Sequence, residues 1–199
     1  MKFEVNNEEV YASTGGRPFD KSKPLIIFVH GSGLTHMCWV LQTRYFAFHG
    51  YSVLALDMPG HGLSKGKSLK SIEDMADWLG KVIDTVGYKE ASLVGHSQGC
   101  LVTIECASRY PEKIKTLSLM GGAGAIPMNP ELLSLAENND PKAVDVLNKR
   151  AKSKDFQAAL SEARNDAKAA SDEDNRQICD DRSEEHTSEL QSPDHLVCR

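Results

Sequence analysis

The pentapeptide Gly95–Gly99 (GHSQG) constrains this sequence most, because a short apolar run, Ala91–Val94, precedes it and a helix-forming segment follows it to about Tyr110. A chain that passes directly from a strand into a helix must reverse abruptly, so Ser97 is predicted to have strained backbone geometry. Small residues two positions before and after it let the turn approach neighbouring backbone. The hydroxyl then lies at a helix N-terminus, which favours developing negative charge. A chance match in a loop is the alternative, and the strand–turn–helix context argues against it.

Short apolar runs alternate with helical segments over the first 125 residues. Phe3–Val5 and Val10–Ala12 flank a polar stretch and predict a β-hairpin. Four further runs are rich in Val, Ile and Leu, as is typical of parallel strands buried on both faces. They are Leu25–Val29, Val53–Leu56, Ala91–Val94 and Ile114–Met120.

The spacing of apolar residues predicts a helix over Ser71–Val86, with Ser71 and Asp74 resembling a capping box and Gly87 ending the helix. A second helix follows Ser97 and ends before Pro111. Strands that alternate with helices in this way predict βαβ units, hence an α/β fold with a mostly parallel sheet and helices on both faces.

Composition excludes several classes of protein. The net charge is −5 and the Lys and Arg residues are scattered, so we expect neither a nucleic-acid-binding face nor a membrane-binding one. Met1–Asn7 lacks the features of a secretory signal, and the apolar run Leu25–Val29 is too short to span a bilayer, so a cytoplasmic location is expected. The cysteines have neither CxxC spacing nor histidines at metal-ligand spacing, so no metal site and no disulfide framework are expected. They are Cys38, Cys100, Cys106, Cys179 and Cys198.

A second glycine-rich motif, His30–Gly33 (HGSG), directly follows the run Leu25–Val29. Acyl transfer places negative charge on a carbonyl oxygen, and converging backbone N–H groups stabilise that charge. A glycine-rich turn brings such a donor close to a substrate. Without further context, the same motif is also typical of a flexible turn.

Three motifs in order give a family resemblance: HGSG after one strand, Asp57–Ser64 (DMPGHGLS) after the next, and GHSQG after the third. From Met1 to about Ala125 the chain resembles the α/β-hydrolase superfamily, which implies a three-layer αβα sandwich. The resemblance implies that Ser97 is the nucleophile and that the backbone N–H groups of Ser32 and Gln98 form the oxyanion hole. It also implies residues that support the loop and the turn, namely His30, Gly31, Gly33, Gly95, His96 and Gly99. Asp57–Ser64 would brace the pocket, and we expect no proton transfer by His30, His61 or His96.

In this family an Asp or Glu and then a His follow the serine in the chain. Met120–Gly124 (MGGAG), at the end of the run after the nucleophile helix, has no carboxylate, and the only later histidines are His186 and His195. We therefore expect the acid and the base to be absent, the fold to be truncated after Ile114–Met120, and this chain to be inactive. That run would then form an exposed apolar edge.

The composition changes near residue 125. The family resemblance implies a core over residues 1–125 and the start of a helical cap over residues 126–181. Three short polar helices are predicted there: Pro130–Leu135, Pro141–Ala151 and Asp155–Ala170. Within residues 182–199, the segment Arg182–Ser192 (RSEEHTSELQS) resembles the in-frame translation of a sequencing-library adapter. We interpret this segment as a non-native tail.

The full-length parent is expected to be a serine hydrolase that cleaves a small-molecule carboxylic ester through an acyl-serine intermediate, without a cofactor. Thioester and amide hydrolysis remain open. So do a carbon–carbon bond hydrolase, an aminopeptidase, a perhydrolase and a non-catalytic ligand-binding homologue. Serine at position 97 argues against haloalkane dehalogenases and epoxide hydrolases, which need a carboxylate nucleophile.

Overall fold

The computed structural model describes residues 1–122, 130–138, 140–143 and 145–146. The chain divides into two units, Met1–Pro127 and Met128–Arg199. In the parts that the structure describes, no helix is long and apolar enough to cross a membrane, and no group of His, Cys, Asp and Glu residues is arranged to hold a metal ion.

The N-terminal hairpin is present as predicted. Strands β1 (Lys2–Val5) and β2 (Glu8–Ser13) pair antiparallel. Asn6 and Asn7 join them with φ values of 54° and 64°. Two consecutive positive φ angles are those of a type I′ turn, whose twist matches that of a hairpin, and asparagine tolerates them better than most residues.

The remaining strands are β3 (Leu25–Val29), β4 (Ser52–Leu56), β5 (Ala91–His96) and β6 (Ile114–Met120). The sheet order is β1-β2-β4-β3-β5-β6. β2 pairs antiparallel with β4, whereas β4, β3, β5 and β6 pair in parallel. The mostly parallel sheet predicted from the sequence is therefore confirmed.

The first unit contains helices α1 (Val40–Phe48), α2 (Ile72–Thr85) and α3 (Gln98–Arg109), with short 3₁₀ turns at His36–Trp39 and Pro111–Lys113. The second unit contains α4 (Pro130–Glu137), which confirms the predicted helix there and extends it by two residues. Helical residues also occur within the predicted Pro141–Ala151 segment, at 142–143 and 145–146. The predicted helix Asp155–Ala170 and the tail lie outside the described residues.

Helices cover both faces of the sheet, as a three-layer sandwich requires. Alternate residues of β3 point to opposite faces. Ile27 belongs to the larger core, which includes Leu79 and Ile83 of α2 and Val102 of α3. Phe28 belongs to the smaller core with Trp39, and the α1 residue Ala47 lies in that core. Because the side chains of β3 alternate between the two faces, the sheet lies between a layer formed by α2 and α3 and a layer formed by α1.

Helix α2 begins and ends where the sequence predicts. The Ser71 hydroxyl accepts a hydrogen bond from the Asp74 backbone N–H at 3.0 Å, which satisfies one free donor of the first turn. Gly87 follows the helix with φ of 80°, a conformation that glycine adopts without steric cost.

Helix α1 is not evident from the sequence pattern. Its buried side chains are Thr43 and Ala47, while Leu41, Tyr45 and Phe48 are exposed. The apolar residues therefore do not form the buried stripe by which an amphipathic helix is identified.

Strand β6 pairs with β5 at one edge of the described sheet. Its residues after Ile114 are all exposed, including Leu117, Leu119 and Met120 at 37%, 47% and 43%. The exposed apolar edge expected from the sequence is present in the described part of the chain.

Candidate active site

Ser97 occupies the turn between β5 and α3, and its backbone is strained. Its φ and ψ are 52° and −119°. Such a conformation costs a non-glycine residue on the order of 1–3 kcal/mol and persists only where the surrounding structure enforces it. Here the Ser97 N–H donates to the Met120 carbonyl at 3.0 Å, and the Ser97 carbonyl accepts from the Cys100 N–H at 2.9 Å. β6 on one side and the first turn of α3 on the other therefore hold the serine in place.

The glycines at 95 and 99 allow the close packing around this turn. A Cβ at Gly95 would overlap the Gly99 carbonyl and lie 2.6 Å from Thr103 Oγ1. A Cβ at Gly99 would overlap the Val29 carbonyl and lie 2.8 Å from the His30 carbonyl oxygen. Because most of these neighbours are backbone atoms, they cannot move aside, and larger residues at either position would displace the turn.

The loop after β3, residues 31–35 (the β3 loop), packs directly against Ser97. A Cβ at Gly31 would lie 2.9 Å from Ser97 Cβ and 3.2 Å from His96 Nδ1. The Ser32 hydroxyl donates to Gln98 Oε1 at 3.0 Å, which joins the loop to the first residue of α3. Gly33 has φ of 68° and nothing within 4 Å of an added Cβ, so its requirement is conformational rather than steric. The structure thus brings the two predicted oxyanion residues, Ser32 and Gln98, together beside Ser97.

His30 is buried, and both of its ring nitrogens bond to backbone. Nε2 accepts from the Met58 N–H at 3.1 Å, and Nδ1 lies 2.8 Å from the Gly31 carbonyl oxygen. An accepting Nε2 requires the proton on Nδ1, so the ring is neutral. Burial lowers the pKa of His30 below its ordinary value, which agrees with that state. His30 therefore links the start of the β3 loop to the end of β4.

His96 and His61 make different contacts. The His96 ring packs edge-on against the Trp39 ring, with 6.2 Å between the ring centroids. Its Nδ1 is buried without a hydrogen-bond partner among the described residues. His61 Nδ1 lies 3.1 Å from the Pro59 carbonyl oxygen, and its ring lies 5.1 Å from that of His30.

Asp57, just after the carboxyl end of β4, is fully buried, and its carboxylate accepts several hydrogen bonds. It accepts from the Leu63 N–H at 2.9 Å, from the His36 N–H at 2.7 Å and from His36 Nδ1 at 3.0 Å. A buried carboxylate is costly unless such bonds replace water. Asp57 therefore joins the 3₁₀ turn after the β3 loop to the segment after β4.

Residues 24–177 match the family model described as the alpha/beta hydrolase fold. The chain belongs to this family.

Several curated relatives of this α/β-hydrolase are hydrolases. It is 34% identical over 103 residues to an (E)-2-((N-methylformamido)methylene)succinate hydrolase of Acinetobacter baylyi, covering 51% of this chain and 38% of that protein. It is 34% identical over 127 residues to a 2-hydroxy-6-oxononadienedioate/2-hydroxy-6-oxononatrienedioate hydrolase of Paraburkholderia phymatum, covering 58% of this chain and 43% of that protein. The chain thus spans less than half the length of each.

The α/β-hydrolase fold is also found in solved structures that resemble this chain. A membrane phospholipase A from a bacterium shares 27% identity with a TM-score of 0.58, over 70% of this chain and 44% of that one. Est816, an N-acyl homoserine lactone degrading enzyme, shares 22% identity with a TM-score of 0.60, over 82% of this chain and 64% of that one. The second likeness shows the fold alone.

One contact of this α/β-hydrolase could not be read from the sequence. The contact of His36 with Asp57 has no local signature, because the two residues are 21 positions apart and only the adjacency of β3 and β4 brings them together. Within the residues that the structure describes, no side chain hydrogen-bonds the Ser97 hydroxyl. His186 and His195 lie outside those residues, so the expectation that neither acts as the base stays a prediction.

Proposed function

We propose that this α/β-hydrolase hydrolyses a small-molecule carboxylic ester through an acyl-serine intermediate on Ser97. The strained turn at Ser97, with φ of 52°, carries the proposal. The fold maintains this strain with bonds from β6 and α3 and with glycines at 95 and 99 that fit against backbone. Strain of this kind is concentrated at functional sites, since a turn without a function would relax.

The proposed reaction begins when a general base removes the Ser97 proton and the hydroxyl oxygen attacks the ester carbonyl carbon. The Ser32 and Gln98 N–H groups would stabilise the resulting oxyanion. The carbonyl re-forms, the ester C–O bond breaks, and the alkoxide leaves with the proton from the base. Water then hydrolyses the acyl-serine by the same sequence and restores the hydroxyl. We assign the base and its orienting acid to residues of the full-length protein other than those that the structure describes.

The neighbouring side chains support this assignment without taking part in proton transfer. Both His30 nitrogens are bonded to backbone, so the ring shapes the loop instead of exchanging protons. Gly31 permits the contact between the loop and Ser97, and the Ser32–Gln98 hydrogen bond holds the two oxyanion residues side by side. The reaction requires no cofactor.

Carbon–carbon bond hydrolysis is the second candidate. It is favoured by the 34% identity to the Paraburkholderia phymatum 2-hydroxy-6-oxononadienedioate/2-hydroxy-6-oxononatrienedioate hydrolase. The curated relatives also include epoxide hydrolase 1 of Caenorhabditis elegans. Serine in place of a carboxylate at position 97 argues against an alkyl-enzyme route for this chain.

The test is to assay the full-length protein on short-chain acyl esters and on a 2-hydroxy-6-oxo dienoate, as wild type, Ser97→Ala and the matched control Ser92→Ala. Ser92 lies in β5, the strand that leads into the turn, five residues before Ser97. Ser97→Ala should lower kcat for the ester on the order of 10⁴-fold or more, and Ser92→Ala should not. Near-normal turnover by Ser97→Ala would refute the nucleophile. Faster Ser97-dependent turnover of the dienoate than of any ester would favour the second candidate.

A further inference from the structure

The loop that carries Ser32 is anchored at both ends to Asp57 and Met58, the two residues that directly follow β4. At its start, His30 Nε2 accepts from the Met58 N–H at 3.1 Å. At its end, the His36 N–H and Nδ1 reach the Asp57 carboxylate at 2.7 Å and 3.0 Å. The loop is thus fixed between two histidines on Asp57 and Met58.

The Asp57 carboxylate is a rigid anchor. Its side chain is fully buried, and the Leu63 N–H also binds it, at 2.9 Å. Gly62 packs so closely that an added Cβ would overlap the carboxylate oxygen Oδ2. The Asp57 carbonyl accepts from the Ser64 hydroxyl at 2.7 Å, and its N–H donates to the Tyr11 carbonyl at 2.9 Å. The aspartate therefore cannot shift to follow a displaced loop.

Besides the Ser32–Gln98 hydrogen bond at 3.0 Å and the packing of Gly31 against Ser97, the loop has few other constraints. Ser32 and Gly33 are exposed, and Gly33 has no packing neighbour for a Cβ. The bond from the Leu34 N–H to the Gly31 carbonyl at 3.2 Å closes a local turn but does not fix that turn to the sheet. The end anchored by His36 therefore contributes, together with the Ser32–Gln98 bond, to where the Ser32 N–H lies.

We propose that His36 is a positioning residue, whose Nδ1–H bond to Asp57 keeps the Ser32 N–H directed at the oxyanion. This inference rests on the proposed function, and it adds a residue that acts through the loop without touching substrate. Charge-assisted hydrogen bonds to a carboxylate are short and strong, so a proton on His36 Nδ1 is enough to form this bond. An oxyanion donor acts only in the transition state, so its displacement lowers kcat and leaves KM nearly unchanged.

The test uses two amides that differ in where they place the N–H. Asparagine places a side-chain N–H at the position of Nδ1, whereas glutamine places it near Nε2. Both variants lose the contact between the His36 ring and Tyr11, whose centroids lie 4.9 Å apart, so comparing them isolates the bond to Asp57. His49→Ala is the control, because that exposed histidine stacks on Tyr45 in α1 and lies outside the site.

In the full-length protein, His36→Asn should keep kcat within about threefold of wild type, while His36→Gln and His36→Ala should lower it by ~10- to 100-fold at similar KM. His49→Ala should match wild type. Equal kcat for His36→Asn and His36→Gln, or wild-type kcat for His36→Ala, would overturn the proposal.

Amide hydrogen exchange over residues 31–36 gives a second readout that does not depend on activity. His36→Gln and His36→Ala should exchange at least about tenfold faster than wild type and His36→Asn in this segment, with unchanged exchange in α2. Equal exchange in all variants would overturn the anchoring role. If wild type hydrolyses no ester but exchange changes as expected, the proposed function fails while the anchor stands.

Discussion

Replacing the strained serine with glycine should stabilise the fold while abolishing the activity. Ser97 has φ of 52° and ψ of −119°, a conformation that costs a residue with a Cβ about 1–3 kcal/mol. Glycine adopts it freely but loses about 0.5–1 kcal/mol through its greater freedom in the unfolded chain. The difference is a net gain of about 1 kcal/mol for Ser97→Gly. For a chain of this length, that gain raises Tm by about 2–4 °C.

The assay is thermal and urea unfolding of wild type, Ser97→Gly, Ser97→Ala and Ser92→Gly. Ser97→Ala retains the Cβ and hence the strain, so its Tm should stay near that of wild type. Ser92 lies within β5, where its φ is not positive, so Ser92→Gly should lose roughly 0.5–1 kcal/mol. A destabilised Ser97→Gly, with a loss like that of Ser92→Gly, would refute the claim that the turn stores strain.

Two further predictions concern the loop and its first histidine. If Ser32 and Gln98 act through backbone N–H groups, proline at either position should lower kcat more than alanine does, and equal activities at both positions would exclude that role. Burial lowers the pKa of His30 below 6.5, so the unfolded chain takes up the proton first as the pH falls. The free energy of unfolding should therefore fall from pH 7 to pH 5. The fall should be less steep in His30→Gln, because glutamine retains an acceptor for the Met58 N–H but does not titrate. Equal slopes of unfolding free energy against pH in the two proteins would contradict this.

Local signals in the sequence were enough to predict most of the sheet. The bounds of β3 and β6 match the prediction. β3 is a continuous apolar run, whereas β6 interleaves apolar residues with Lys115, Thr116 and Ser118, and polar or glycine-rich segments flank both strands. β5 continues two residues beyond the predicted Val94, to His96, because the turn at Ser97 needs no loop residues before it. The layers also follow from sequence, since the alternating side chains of β3 supply both cores.

Features that depend on long-range packing were not predictable. α1 was missed because its buried residues are Thr43 and Ala47 while Leu41 and Phe48 are exposed, which reverses the usual pattern. The proximity of Ser32 to Gln98 was implied by the family resemblance, but the bond between their side chains was not. The His36 contact to Asp57 depends on the pairing of β3 with β4, which no local pattern encodes.

The central claim, that Ser97 is an activated nucleophile, is tested most directly by treating the full-length protein with a fluorophosphonate and mapping the adduct by mass spectrometry. Trypsin should release residues 90–109 as one peptide, which contains Ser92, Ser97 and Ser108. We predict one phosphonate per protein, located on Ser97 by fragmentation, and no adduct in Ser97→Ala. A wild-type protein that hydrolyses esters while this peptide stays unmodified, or an adduct on a different serine, would contradict the account.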